Sequence, residues 1–306
     1  MTIDGIVLDQ TGSERGTARI SIVHALRALR AVVMREIVKF IHQVGRLASA
    51  LVRPGLWLVV FAAGFQKVLG VSIVPPYETY VEYQEYMVPG LIGMVILFNG
   101  MQSSLSLVYD REIGVMRLLL TTPLPRWYLL FCKLLAGTIL SIIQAYAFLF
   151  VAFLVGVEVP WSGWLYMLPM MFVTGMMLGS IGLLLSVYIK QLENFAGAMN
   201  FVIFPMYFLS TALYPLWKLR EAGAESLYWV AQLNPFTYGV EVIRFAAYGK
   251  LAGLLDSIAP GGESRNTHEG VALLIVIVVA AVAFLIAVNG YDPQRGFIRK
   301  RQQAST

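Results

Sequence analysis

Charge is what this chain most lacks. Only 13% of its 306 residues are Asp, Glu, Lys or Arg, where a soluble domain carries about 25%. Too few charges are present to cover a water-facing surface. Hydrophobic residues make up 58% of the chain and the mean hydropathy is +0.70, so the apolar excess must face lipid. Cysteine is nearly absent: Cys132 stands alone, which excludes an internal disulfide. It opens an apolar run, where a buried, inert thiol is expected. The three histidines, His24, His42 and His268, are scattered across two sides of the expected membrane and do not suggest a shared metal. No cleavable signal peptide is expected either. Residues 1–20 carry Asp4, Asp9 and Glu14 and lack a short apolar core followed by a small-residue cleavage site.

Familiar catalytic motifs are absent too. No stretch matches the Gly-x-x-x-x-Gly-Lys-Ser/Thr phosphate loop. The Gly249-Lys250 pair is followed by Leu251, and position 244 is Arg rather than Gly. No His-Glu-x-x-His, Cys-x-x-Cys or Gly-x-Ser-x-Gly occurs. Asp110 and Glu112 flank Arg111 and read as a solvated charged turn rather than a catalytic pair. An enzyme is therefore disfavoured, and no catalytic or metal-binding residue is assigned. The net charge of +5 would suggest nucleic acid in a soluble protein. In a membrane protein its distribution matters more than its sum, and no nucleic-acid partner is expected.

What is there in abundance is long apolar runs. A bilayer core of about 30 Å needs about 20 apolar residues in a helix. Six stretches qualify, at about 54–77, 86–109, 130–157, 163–189, 194–217 and 270–291. The first contains Lys67, close enough to its far end to snorkel. The expected fold is all-α, a polytopic six-span domain over residues 51–291. A further apolar piece, within 226–249, is too short to cross and is interrupted by Asn234-Pro235 and Gly239. It reads as re-entrant. Residues 1–18 read as a disordered tail and 292–306 as a basic cytoplasmic tail.

Over residues 19–50, Ala25, Leu26, Leu29, Val32, Val33, Ile37 and Phe40 recur at helical spacing among Arg27, Arg30, Arg35, Lys39 and Arg46. A basic amphipathic helix on the anionic cytoplasmic leaflet is expected, with a solvated helix on a protein partner as the alternative. Orientation follows from Lys and Arg near the span ends. Eight precede the first span, and none lies in the 72–86 loop. Arg111, Arg117, Arg126 and Lys133 follow the second, and Arg295, Arg299, Lys300 and Arg301 lie in the tail. Both termini should be cytoplasmic. Segment 218–269 should then be external, although it carries five basic residues against six acids.

Three segments carry more information. Residues 109–133 place Ile113, Val115, Met116, Leu118, Leu119 and Leu120 in a cytoplasmic connector ended by Pro123 and Pro125. Exposed leucines on a short amphipathic helix imply a groove to receive them, or else a helix lying flat in the headgroups. Residues 204–217 hold Pro205 and Pro215 around an aromatic run, in which Tyr207, Phe208, Tyr214 and Trp217 suit an outer interface belt. Pro205 should kink its helix. In residues 233–244, Asn234 is a reasonable N-cap with Pro235 in the first turn. Glu241 and Arg244 are spaced i, i+3 and can pair, as a stabilising pair or in a transport role. Within the spans, Asn99, Gln102, Gln144 and Asn200 are polar. They suit helix–helix hydrogen bonds or a substrate path. Gly175 and Gly179 permit a close helix contact.

With these segments on view, the chain resembles the permease subunit of type-2 ATP-binding-cassette (ABC-2) exporters, such as the nodulation-factor, daunorubicin and polysaccharide exporters. The resemblance covers roughly residues 25–295 and rests on REIGVMRLLLTTPLP (111–125), FPMYFLSTALYPL (204–216) and LNPFTYGVEVIR (233–244). It implies that residues 110–124 form a coupling helix docked on a separate ATPase, comprising Asp110, Arg111, Glu112, Met116, Arg117, Leu118, Leu119, Leu120, Thr121 and Pro123. Glu112, Arg117 and the leucines would make the contact, and residues 19–46 would add a second. It implies that 218–250, with Asn234, Pro235, Tyr238, Glu241 and Arg244, close the outer mouth. It further implies a second permease subunit, as homodimer or heterodimer, meeting through spans two and five. ATP and Mg would lie on the partner ATPase, with no cofactor on this chain, in a bacterial plasma membrane. A secondary transporter and a membrane-embedded lipid-modifying enzyme are the alternatives.

Overall fold

The computed structural model describes residues 22–42, 45, 52–60, 83–114, 125–157, 159–189, 191–248 and 267–291. Among these residues the fold is all-helical. The helices are α1 (Ile22–Ile41), α2 (Tyr83–Glu112), α3 (Arg126–Leu154), α4 (Trp161–Tyr188), α5 (Leu192–Phe208), α6 (Leu216–Glu221), α7 (Glu225–Leu233), α8 (Pro235–Tyr248) and α9 (Thr267–Gly290). Residues 52–60 are helical as well. The segments 1–18, 61–77, 115–124, 249–266 and 292–306, on which several sequence expectations fall, lie outside the described residues.

Proline sets several of the boundaries. Pro125 and Pro160 immediately precede α3 and α4, and Pro235 opens α8. A proline at a helix start forfeits no hydrogen bond, because the first amides are unpaired in any case. Four helices are long and apolar enough to cross a membrane, at Glu85–Glu112, Arg126–Leu154, Trp161–Tyr188 and Gly270–Gly290. They correspond to the expected second, third, fourth and sixth spans. The expected fifth, 194–217, is different. Its helix has 17 residues and stops at Phe208, shorter than the bilayer core at 1.5 Å per residue. The last backbone bond of that helix runs from Leu209 N to Pro205 O. A non-helical stretch then leads to α6 at Leu216.

The most buried of these four long helices is α2, whose most apolar window is 72% buried, against 22% for α9. It packs on α3, α4, α5 and α8. Small residues let α2, α3 and α4 approach closely. A Cβ on Gly175 would sit 2.8 Å from Thr138 Cγ2, and one on Gly179 would sit 2.5 Å from Leu134 Cδ1. The close contact expected at these two glycines is present, and it is made with α3.

Helix α8 runs antiparallel to α4. A Cβ on Gly163, at the start of α4, would meet Ala247 O at 2.1 Å. Eleven residues further along α4, Thr174 Cγ2 lies 2.7 Å from where a Gly239 Cβ would be. Tyr248 Oη donates to Glu85 O at 3.2 Å, so the end of α8 meets the start of α2. The α7–α8 break at Asn234-Pro235 therefore lies well inside the bundle, about four to five helical turns along α4 from its first residue.

Helix α1 packs on α3. Phe40 is buried on its inner face, whereas Leu26, Met34 and Val38 are exposed. The expected apolar stripe is thus matched at Phe40 and departs at Leu26.

Candidate functional site

Three clusters contain most of the described residues singled out from sequence. The first is at the C-terminal end of α2. Asp110, Arg111 and Glu112 form the last turn of that helix, rather than the start of a separate short one. The chain then turns through Gly114, whose φ of +79° suits glycine. Asp110 is only 5% exposed, which corrects the expectation of a solvated charged turn. The reason is a partner the sequence spacing hides. Lys133 of α3, also buried, donates to Asp110 Oδ2. Arg35 of α1 stands 3.5 Å from the same oxygen and pairs with Glu36 at 2.9 Å. A buried carboxylate is tolerated only with such compensation. Arg111 donates to Ser186 O of α4 at 3.1 Å and lies over the Tyr291 ring, 5.3 Å from its centroid. The end of α2 is thereby tied to α1, α3, α4 and the residue after α9. Met116, Arg117, Leu118, Leu119, Leu120, Thr121 and Pro123 fall outside the described residues.

The second cluster surrounds α8. Asn234 Nδ2 donates to Met206 O at 2.7 Å and to Leu209 O at 2.8 Å. Its Oδ1 accepts from Phe236 N at 3.0 Å. The expected capping role is present, and the same side chain also binds the end of α5. Pro235 occupies the first position of α8, and Tyr238 Oη donates to Gln232 O at 2.7 Å. Arg244 Nη1 donates to Glu241 Oε1 at 2.7 Å, as i, i+3 spacing allows. The pairing is lopsided: the Arg244 side chain is 2% exposed and that of Glu241 38%. Two further contacts, illegible in sequence, support the buried guanidinium. Arg244 Nη2 donates to Thr211 O at 2.7 Å, and the ring of Tyr86 lies 4.0 Å from Arg244 Cζ. Tyr86 Oη donates to Thr211 O as well, at 2.9 Å. Tyr207 departs from the expected interface belt. It is buried, with its ring 6.1 Å from that of Phe236.

The third cluster is a cleft between residues 52–60 and α2. Asn99 and Gln102 line it together with Arg53 and Phe98. Gln144, buried on α3, and Asn200, exposed on α5, do not line it. The sequence reading missed Arg53, counting it only among the cations that set orientation. Cys132 is fully buried, as expected. Among the described residues, no group of His, Cys, Asp and Glu could hold a metal ion.

The family model described as ABC-2 type transporter matches residues 27–248. The chain is 27% identical to the putative transport permease ycf38 of Cyanophora paradoxa over 265 residues, 85% of this chain and 88% of that protein. It is 28% identical to the probable multidrug ABC transporter permease YbhR of Escherichia coli K12 over 164 residues, 53% of this chain and 44% of that one. It is 29% identical to nodulation protein J of Rhizobium leguminosarum bv. viciae over 90 residues, 29% of this chain and 33% of that one. With four membrane-length apolar helices and a family model spanning most of its length, the chain belongs to the ABC-2 type transporter family and is a membrane permease subunit.

Proposed function

We propose that this chain forms half of an ATP-driven exporter whose ATP is hydrolysed by a separate ATPase subunit. The observation that carries the reading is the buried ion cluster at the end of α2. Asp110, Lys133 and Arg35 join three helices at the end of α2, just before residues 115–124 in the chain. A load applied to those residues reaches the bundle through a fixed junction rather than a slack loop. The leucine-rich run 118–120 is the surface the ATPase grips. Glu112 and Arg117 flank it, and Asp110 acts from beneath as a structural anchor rather than by contact.

On this reading the chain crosses the membrane six times, adding 54–77 and the α5 segment to the four long helices. Its termini, α1 and the 110–124 connector lie in the cytoplasm of a bacterial plasma membrane. The α7–α8 hairpin dips back into the bundle from outside. Its interior break, held by Asn234, and the Arg244–Thr211–Tyr86 contacts support that role as an outer closure. ATP-driven closure of two ATPase subunits pushes the connectors and shifts the spans, so that the path opens outward. A second permease subunit, identical or related, completes the pore.

One observation favours a proton-coupled carrier instead: Asp110 and Lys133 are ionisable and buried within long apolar helices. The two readings separate cleanly. A Leu119→Cys variant in a Cys132→Ser background should react with a membrane-impermeant maleimide in inverted vesicles and be protected there by the assembled ATPase. Labelling from the outside, or none of that protection, would favour the carrier.

A further inference from the structure

The cleft beside α2 is unused by the mechanism above, and its chemistry is specific. The Arg53 guanidinium lies over the ring of Phe98 at 4.0 Å. Among the described residues no carboxylate pairs with it. Next to Phe98 in the chain, Asn99 is 5% exposed, and its Nδ2 has no hydrogen-bond partner within the described protein. Gln102, one turn further on, adds an amide to the same wall. Pro54, Met94 and Val95 complete the lining, the last two almost wholly buried.

An arginine snorkelling toward water accounts for an exposed guanidinium. It does not account for a buried amide N–H beside it without an acceptor, because an unsatisfied buried donor is costly. Both groups are donors. The guanidinium offers a planar fork that fits a carboxylate or phosphate, and stacking on Phe98 fixes its plane. The missing component is an anionic acceptor. Val52 and Leu56, exposed beside Arg53 on the same short helix, supply apolar surface for a hydrocarbon chain.

We infer that this cleft binds the headgroup of an anionic amphiphile, a phosphate or carboxylate carried on an apolar tail. Binding itself follows from the cleft. That the bound molecule is cargo rests on the exporter reading, where Arg53 precedes the first span and the cleft faces the inner leaflet.

Native mass spectrometry of the full chain in neutral detergent tests this with dioleoyl phosphatidic acid, dioleoyl phosphatidylcholine and inorganic phosphate as probes. The wild type should retain phosphatidic acid over phosphatidylcholine by about tenfold or more. Arg53→Gln and Asn99→Leu should each weaken phosphatidic acid binding about tenfold, the scale of one lost charge-assisted or buried hydrogen bond. Arg53→Lys, with the charge but not the fork, should fall between. Arg126→Gln, at the exposed start of α3, should bind as wild type does. Inorganic phosphate at equal concentration should not displace the lipid, and displacement would overturn the role of the tail. Equal retention of the two lipids, or unchanged binding in Arg53→Gln and Arg53→Lys, would overturn the site. Arg53→Lys remains decisive should Asn99→Leu fail to fold. The measurement needs no ATPase, so its failure leaves the ATP-driven reading standing, and a missing ATPase partner leaves this result standing.

Discussion

Neutralising one member of the Asp110–Lys133 pair is the sharpest structural test of how α2 is anchored. The two side chains are 7% and 9% exposed. In Asp110→Asn, shape is kept and the Lys133 ammonium loses its counter-charge in a buried setting. Breaking a buried pair by removing one partner costs about 3–5 kcal/mol. Arg35 offers no relief, because it is also cationic. Lys133→Met leaves Asp110 with Arg35, whose side chain is 42% exposed. A pair that exposed recovers only about 0–1 kcal/mol. Both single variants should therefore melt well below wild type, with Asp110→Asn the lower. At about 2 °C per kcal/mol for a chain of this size, the drop is about 6–10 °C. The double variant Asp110→Leu/Lys133→Leu removes both charges and should recover most of the loss, since apolar replacement of a buried pair is often neutral or better. The assay is thermal denaturation of the purified protein in one detergent, with a double-mutant cycle giving the coupling term. Additive effects, with the double variant lower than either single one, would refute the claim that the pair is buried and coupled.

Two further outcomes follow from packing and capping. Gly163→Ala places a methyl where Ala247 O already stands, 2.1 Å from the ideal Cβ. The thermal midpoint should fall by the equivalent of about 1–3 kcal/mol, whereas Gly197→Ala, with open space around it, should be neutral or better. Asn234→Ala removes two bonds to the end of α5 and the cap on Phe236 N. Loss of the cap alone costs about 1 kcal/mol, and hydrogen exchange at residues 206–213 should speed up in that variant while exchange in α3 does not change.

Much of the architecture could be read directly. Uncharged runs of about 20 residues or more gave four of the long helices, because length and apolarity are sufficient for a lipid-facing helix. The Asn234-Pro235 break was legible for the same local reason: proline cannot continue a helix, and asparagine caps one. The α5 segment shows where composition stops short. Residues 194–217 are uncharged throughout, yet the helix ends at Phe208, because the following residues bond elsewhere. Ser210 Oγ accepts from Ala212 N, and Thr211 O accepts from Arg244 and Tyr86. Pairings between distant segments were not legible. Asp110 looked solvated because its flanks are charged, and only the approach of α3 brings Lys133 to it. Glu241–Arg244 was visible as a local pair, whereas the ring of Tyr86, more than 150 residues earlier in the chain, was not. Arg53 was read for its charge sign alone, since nothing in its neighbourhood announces Phe98 or Asn99.

The claim on which the rest depends is that the connector after α2 is the grip of a motor on another chain. Co-purification with a co-expressed ABC ATPase subunit, read for wild type and Leu119→Asp in the same membranes, tests it most directly. The expected result is a stable complex and ATP-dependent transport for wild type, and an inserted protein with neither for Leu119→Asp. A Leu119→Asp protein that still holds its ATPase and still transports would contradict it.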